Sequence, residues 1–128
     1  MIPFRPIHSK FHYLKDFEHA KINPLLVQEK LLKRILKYNK DTKYGKKYGF
    51  SSIKNISDFQ KKIPVIKYED IEMYVEECKK GKQNILTKDK VIFFATSSGT
   101  TSTPKYIPIT KERMKIFQRE FYLWFFKV

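Results

Sequence analysis

The chain has 128 residues, 41% of them hydrophobic and 16% aromatic; this length suits one domain, and this apolar share excludes a disordered polar tail. A formal net charge of +14 raises polyanions as partners, yet only four of the 27 basic residues are Arg (Arg5, Arg34, Arg113, Arg119), and nucleic-acid readers lean on the Arg fork for base edges and phosphates. Lys, Ile, Tyr, Phe and Asn share A/T-rich codons, so a biased genome accounts for the balance: a solvated lysine-rich surface is the first reading, and a small basic nucleic-acid-binding module the alternative.

Residues 1–22 read as an irregular leader with a short helix through Tyr13–His19. Pro3 and Pro6 and the lack of an apolar run argue against a signal peptide. His8, His12 and His19 are spaced to stack on one helix face, but three histidines lack a fourth ligand and a supporting shell, and surface positions explain them. Asn23-Pro24 marks a helix start, with Asn as N-cap and Pro in the first helical position. Leu25, Leu32, Ile35, Leu36 and Asn39 follow helical spacing, with Gln28, Glu29, Lys33 and Lys37 opposite. This helix should end near Lys40, before a turn-rich stretch at 41–49. Tyr44, Tyr48 and Phe50 among lysines have the composition of a base-stacking surface.

Ser57-Asp58-Phe59-Gln60 has the capping-box pattern and predicts a short helix that Pro64 stops. Residues 68–79 predict another helix, with Glu69, Asp70 and Glu72 near its start and Lys79, Lys80 and Gly81 at its end, as the helix dipole prefers. Glu69, Asp70, Glu72, Glu76 and Glu77 read as a solvated acidic face. Cys78 is the one cysteine, so one chain can form no disulfide or cysteine zinc site. Val91–Ala95 is a strand candidate, and Tyr106–Ile109 a second, which Pro108 places at an edge or bend. Thr110 can cap a final helix from Lys111 that sets Met114, Phe117, Phe121, Trp124 and Val128 on one face, widened by Leu123, Phe125 and Phe126. A helix apolar nearly all round calls for burial on several sides, and no later element is there to cover it. Its apolar run, Phe121–Phe126, is far too short for a membrane span, and a cytoplasmic location is the default expectation.

Between the two strands, residues 96–103 hold seven hydroxyl residues and one Gly, followed by Pro104-Lys105. Such a loop suits a ligand with many anionic oxygens. Backbone N–H groups and short hydroxyls donate to phosphate, Gly99 lets the backbone approach closely, and Lys105 adds positive charge. No stretch fits the Walker pattern G-x-x-x-x-G-K-S/T or the dinucleotide pattern G-x-G-x-x-G. The bland alternatives are a Ser/Thr-rich turn and, for Lys105, a solvated strand-edge charge.

Ser98-Gly99-Thr100-Thr101 with Pro104-Lys105 resembles the phosphate-binding motif of the adenylate-forming superfamily, in which most members carry Gly where Ser102 stands. The upstream sequence is similar to the auxin-responsive (Gretchen Hagen) acyl-acid amido synthetases. The carriers are the Gln28-to-Asn39 helix followed by Asp41-Thr42-x-Tyr44-Gly45, then Tyr48-Gly49-Phe50, Asp58-Phe59 and Ile63-Pro64-Val65. Tyr68-Glu69-Asp70-Ile71, Gly81, Leu86, Ser97-Ser98 and Ile107-Pro108-Ile109-Thr110 complete the set, so the resemblance runs from about residue 23 to 115. Each motif is weak alone; their order and spacing make the match specific.

The resemblance implies an enzyme that activates a carboxylate with ATP, in company with Mg2+, to an acyl-adenylate and pyrophosphate, then passes the acyl group to an amine such as an amino acid. It implies that Ser97, Ser98, Thr100 and Thr101 donate to the phosphates, that Gly99 permits close approach and that Lys105 supplies charge. It assigns Tyr44, Tyr48 and Phe50 to packing and turns. Family members are several times longer, so the chain is expected to be an N-terminal fragment, inactive alone; a further alternative is a structural partner that pairs its aromatic final helix with a separately encoded remainder. The expected architecture is α/β: a leader (1–22), a helical part (23–90) and a strand–loop–strand–helix part (91–128), together an incomplete piece of an adenylate-forming fold.

Overall fold

A computed structural model describes residues 15, 17–97 and 104–127, without the side chains of 126 and 127. After helical residues 17–22 come α1 (Pro24–Asn39), α2 (Lys43–Lys47), a 3-10 turn (Phe50–Ser52), α3 (Ile56–Lys62), α4 (Tyr68–Lys79), β1 (Val91–Thr96), β2 (Tyr106–Thr110) and α5 (Lys111–Lys127). The fold is therefore helical with a small two-stranded antiparallel sheet. Of the expected Tyr13–His19 helix, Tyr13 lies outside the described residues, and the helical stretch continues past His19 to residue 22.

Helix α1 begins as its sequence dictates. The Asn23 side chain accepts from the Leu26 N–H at 3.3 Å, and Pro24 occupies the first helical position. Its end does structural work through one residue. The Asn39 carbonyl accepts from both the N–H and the hydroxyl of Thr42, at 3.1 and 2.8 Å, and its side chain accepts from the Lys88 N–H at 3.0 Å. Thr42, only 1% exposed, in turn caps α2 by accepting from the Gly45 N–H at 2.9 Å.

The stretch expected to be turns is thus a helix at 43–47. The free N–H groups of its first turn explain the difference. Lys43 and Tyr44 donate to the carbonyls of Asn84 and Ile85, at 2.8 and 3.0 Å, so a segment some 40 residues downstream satisfies donors that a short helix leaves orphaned. Gly45 is required by space: a Cβ there would lie 2.1 Å from the Asn39 carbonyl oxygen.

The cap of α3 lies two residues before the expected one at Ser57. Asn55 is the cap, its side chain accepting from the Asp58 N–H at 2.9 Å, while the Asp58 carboxylate accepts from the Lys54 N–H at 3.0 Å. These two bonds, to Asn55 from Asp58 and to Asp58 from Lys54, therefore stand in place of the Ser57–Gln60 box. Helix α4 spans 68–79 as expected; the Asp70 carboxylate accepts from the Lys67 N–H at 2.7 Å, and Gly81 takes a left-handed φ of 82° just past the end.

The core gathers on the inner face of α4. Tyr74, Cys78 and Ile85 are buried together, with Tyr44, Ile71, Leu86, Val91 and Phe94 packed against them; Leu36, Ile53 and Val75 are also buried. This burial pushes the Cys78 thiol above its ordinary pKa. Tyr44 meets Tyr48, Phe50 and Tyr74 with ring centroids 4.6, 6.1 and 5.5 Å apart, and burial followed by the neighbouring Tyr48 pushes its phenol up to about 12.

The sheet is a hairpin whose two faces differ. Phe94 pairs with Pro108 and Thr96 with Tyr106; on the opposite face Phe93 pairs with Ile109 and Ala95 with Ile107. Phe94 joins the core, whereas Phe93 and Ile107 remain 47% and 51% exposed. The register shifts between Val91 and Phe93, where Ile92 forms a bulge. Thr110 caps α5 by accepting from the Arg113 N–H at 3.1 Å. On α5, Phe117, Phe121, Trp124 and Phe125 are exposed and Met114 is half-buried, with Phe121 and Phe125 stacked at 6.2 Å; Val128 lies outside the described residues.

Candidate functional site

The hairpin brings the two ends of the hydroxyl-rich loop together. β1 delivers Ser97 and β2 begins just after Lys105. The Ser97 N–H donates to the Lys105 carbonyl at 3.1 Å, and the Lys105 N–H donates to Ser97 Oγ at 3.4 Å. Accepting this bond leaves the Ser97 hydroxyl proton free to donate elsewhere. Ser98, Gly99, Thr100 and Thr101, the other expected phosphate contacts, lie outside the described residues.

Lys105 is half-buried. Its ammonium lies 3.5 Å from Glu69 Oε1 and 5.5 Å from the centroid of the Tyr68 ring. Tyr68 also ties the helix to the strand, its hydroxyl accepting from the Tyr106 N–H at 3.0 Å. Across Tyr106, Lys79 Nζ sits 4.0 Å from the ring centroid and pairs with Glu76 at 2.7 Å. The Glu69 carboxyl is held below its ordinary pKa, first by its own backbone N–H at the helix start and then by the charge of Lys105.

The stem therefore places Lys105 and Lys79, each paired with a carboxylate of α4, beside the hairpin. Chemically it offers charge and donors to an anion. Among the described residues no group of three or more His, Cys, Asp or Glu is placed to hold a metal ion; His19 is exposed, and His8 and His12 lie outside the described residues.

Tyr68 and Glu69 are the residues that sequence reasoning missed. They belonged to the family-like stretch, but nothing local signals that the start of α4 lies beside a residue 36 positions later. Of the residues read as a solvated acidic face, Glu69, Asp70 and Glu72 are exposed; Glu69 pairs with Lys105, Glu76 with Lys79, and Glu77 with Lys43 and Lys82. Tyr44, Tyr48 and Phe50 pack on one another rather than forming an open stacking platform. Among the described residues no helix is long and apolar enough to cross a membrane.

Helices feeding an antiparallel hairpin in this order are shared with solved acyl acid amido synthetases. The GH3.15 acyl acid amido synthetase in complex with 2,4-DB superposes with a TM-score of 0.76 at 27% identity, over 98% of this chain and 23% of that one. A second GH3.15 structure gives 0.79 at 27% identity, over 95% and 22%. Among curated proteins, the indole-3-acetic acid-amido synthetase GH3.4 of Arabidopsis thaliana is 34% identical over 100 residues, 77% of this chain and 17% of the relative. The jasmonoyl–L-amino acid synthetase JAR4 of Nicotiana attenuata is 30% identical over 114 residues, 84% of this chain and 20% of the relative. A model described as the GH3 family N-terminal domain matches residues 13–128, and the chain belongs to that family. It spans about a fifth of the length of these relatives.

Proposed function

We propose that this chain is the N-terminal, phosphate-loop portion of an ATP-dependent carboxylate-activating ligase. In the complete reaction a carboxylate oxygen attacks the α-phosphorus of ATP, forming an acyl-adenylate and releasing pyrophosphate. The nitrogen of an amino acid or another amine then attacks the acyl carbon, forming the amide and releasing AMP. Ser97, Ser98, Thr100 and Thr101 donate to the β- and γ-phosphates, Gly99 allows close approach, and Lys105 offsets charge on the departing pyrophosphate; positioning and charge neutralisation carry such transfers. Mg2+ arrives with the nucleotide's own phosphates. The working location is the cytoplasm.

The observation that carries this reading is the family match over residues 13–128. The geometry supports it by closing the loop between Ser97 and Lys105. The acyl and amine groups have no assigned residues in the chain, so the chain by itself binds phosphate without catalysing adenylation.

Calorimetric titration of the 128-residue protein with sodium pyrophosphate tests the loop. Saturable binding that Lys105→Met weakens roughly fivefold is expected, the scale of a solvent-exposed charge contact. Binding that never saturates overturns the loop assignment, and tight binding to any DNA or RNA with a steep salt dependence favours the nucleic-acid module instead. Robust carboxylate-dependent ATP–pyrophosphate exchange by the pure chain overturns the inactivity.

A further inference from the structure

We infer that Glu69 and Tyr68, at the start of α4, are positioning residues that hold Lys105 as an exchangeable partner, to be surrendered to a polyphosphate at the hairpin stem. This inference rests on the phosphate reading of the loop. The three residues meet although 36 positions separate Glu69 from Lys105. Glu69 Oε1 lies 3.5 Å from Lys105 Nζ, and the Tyr68 ring lies 5.5 Å from the same ammonium.

The two holds have different strengths and different jobs. The Glu69–Lys105 pair is loose, with side chains 64% and 42% exposed; a screened pair of this kind is worth little and is readily exchanged. The link from Tyr68 to the backbone is local to the strand: its hydroxyl accepts from the N–H of Tyr106, the residue after Lys105. The Lys105 side chain can therefore leave Glu69 while its backbone stays fixed to α4. Exchange is also favoured by charge. One carboxylate carries a single negative charge, whereas pyrophosphate near neutral pH carries several, and the Coulomb attraction to a nearby ammonium scales with that charge. Lys79, over the Tyr106 ring, keeps its own pair with Glu76, so Lys105 is the ammonium that the exchange releases. Glu69 thus acts as a competitor for the anion's site on Lys105, and the aromatic ring steers the ammonium toward the stem.

The test is a double-mutant cycle read by pyrophosphate titration of the full chain. Glu69→Gln should tighten binding about two- to fivefold in the natural background, because the competitor is gone. The same change in a Lys105→Met background should do no more than Glu72→Gln, a control for lost negative charge on the same helix. In NMR spectra of the natural protein, the Lys105 ε-methylene protons should carry a ring-current shift from Tyr68 that declines as pyrophosphate saturates. Equal tightening in both backgrounds, weakening by Glu69→Gln, or a ring-current shift unmoved at saturation would each overturn the exchange. If the natural chain binds no pyrophosphate, the loop assignment falls and the exchange with it; if it binds but ignores Glu69, only the exchange falls. Circular dichroism of each variant identifies any that misfold, and Glu69→Ser then replaces Glu69→Gln with the same expected direction.

Discussion

The segment from α1 through Ile85 and the segment formed by the hairpin and α5 treat their apolar residues differently. In the first, Thr42, Asn39 and Gly45 lock backbone to backbone, and Tyr74, Val75, Cys78 and Ile85 are sealed from water, although Leu25, Ile35, Val65 and Met73 stay exposed. In the second, Phe93, Ile107, Phe121 and Trp124 remain about half exposed or more, on one sheet face and along the final helix. Both are well-formed locally: the hairpin has its ladder and α5 its cap. The difference teaches that well-formed secondary structure does not by itself provide burial, and that the sealed side chains gather around α4. The outer face has the chemistry of an interior surface, in keeping with a chain that spans about a fifth of its relatives' length.

Substitutions can break this contrast or sharpen it. The largest effect is expected at Gly45, where a methyl group would collide with the Asn39 carbonyl. Gly45→Ala should cost about 3 kcal/mol or prevent folding, at the upper end of overpacking penalties; a urea midpoint equal to the parent's would mean the α1–α2 lock is softer than described. Val75→Ala, at a side chain with no exposed surface, should cost about 2 kcal/mol in the same assay by leaving a cavity. Trp124 is larger, yet it is 65% exposed. Trp124→Ala should therefore change stability by no more than about 0.5 kcal/mol, and a loss comparable to that of Val75→Ala would erase the distinction between the two regions.

A pH experiment probes the first region by a subtler route. The Glu77 carboxyl is held below its ordinary value of 4.5, first by its hydrogen bond to Lys43 and then by the charges of Lys43 and Lys82. A carboxyl with a depressed folded-state pKa contributes stability that is present above the unfolded value and is lost as pH falls through the folded one. Melting temperature should thus decline as pH drops below 4.5, and Glu77→Gln should flatten that decline. An unchanged acid slope would show that the tie between α2 and α4 contributes nothing measurable.

Much of this architecture was legible because its signals are short-range. Asn23-Pro24, the acidic start and glycine end of α4, and Thr110 each act within about one turn of the residue that reveals them. The two strands were legible from apolar runs flanking the hydroxyl-rich loop. What escaped depends on distant partners. Helix α2 exists because Asn84 and Ile85 turn their carbonyls toward it, which no window around residue 43 could disclose. The cap at Asn55 was missed for a different reason: two capping patterns overlap, and the one beginning earlier gains an additional half-turn. At the candidate site, Ser97 and Lys105 are proposed from composition and family likeness, whereas the proximity of Glu69 and Tyr68 to Lys105 and Tyr106 appears only in the packing of α4 against β2.

The open hairpin also recasts the abundance of lysine. Among the described residues β1 and β2 pair only with each other, leaving β1 an outer edge that invites a strand from another molecule, whereas on β2 the Tyr106 N–H is taken by Tyr68 and Pro108 has none to offer. Lys88 and Lys90 precede β1, and Lys105 and Lys111 bracket β2. Repulsion between such flanking charges discourages edge-to-edge stacking of identical hairpins. Part of the positive charge that first pointed outward to polyanions is thereby placed where like charges oppose contact between copies of the hairpin.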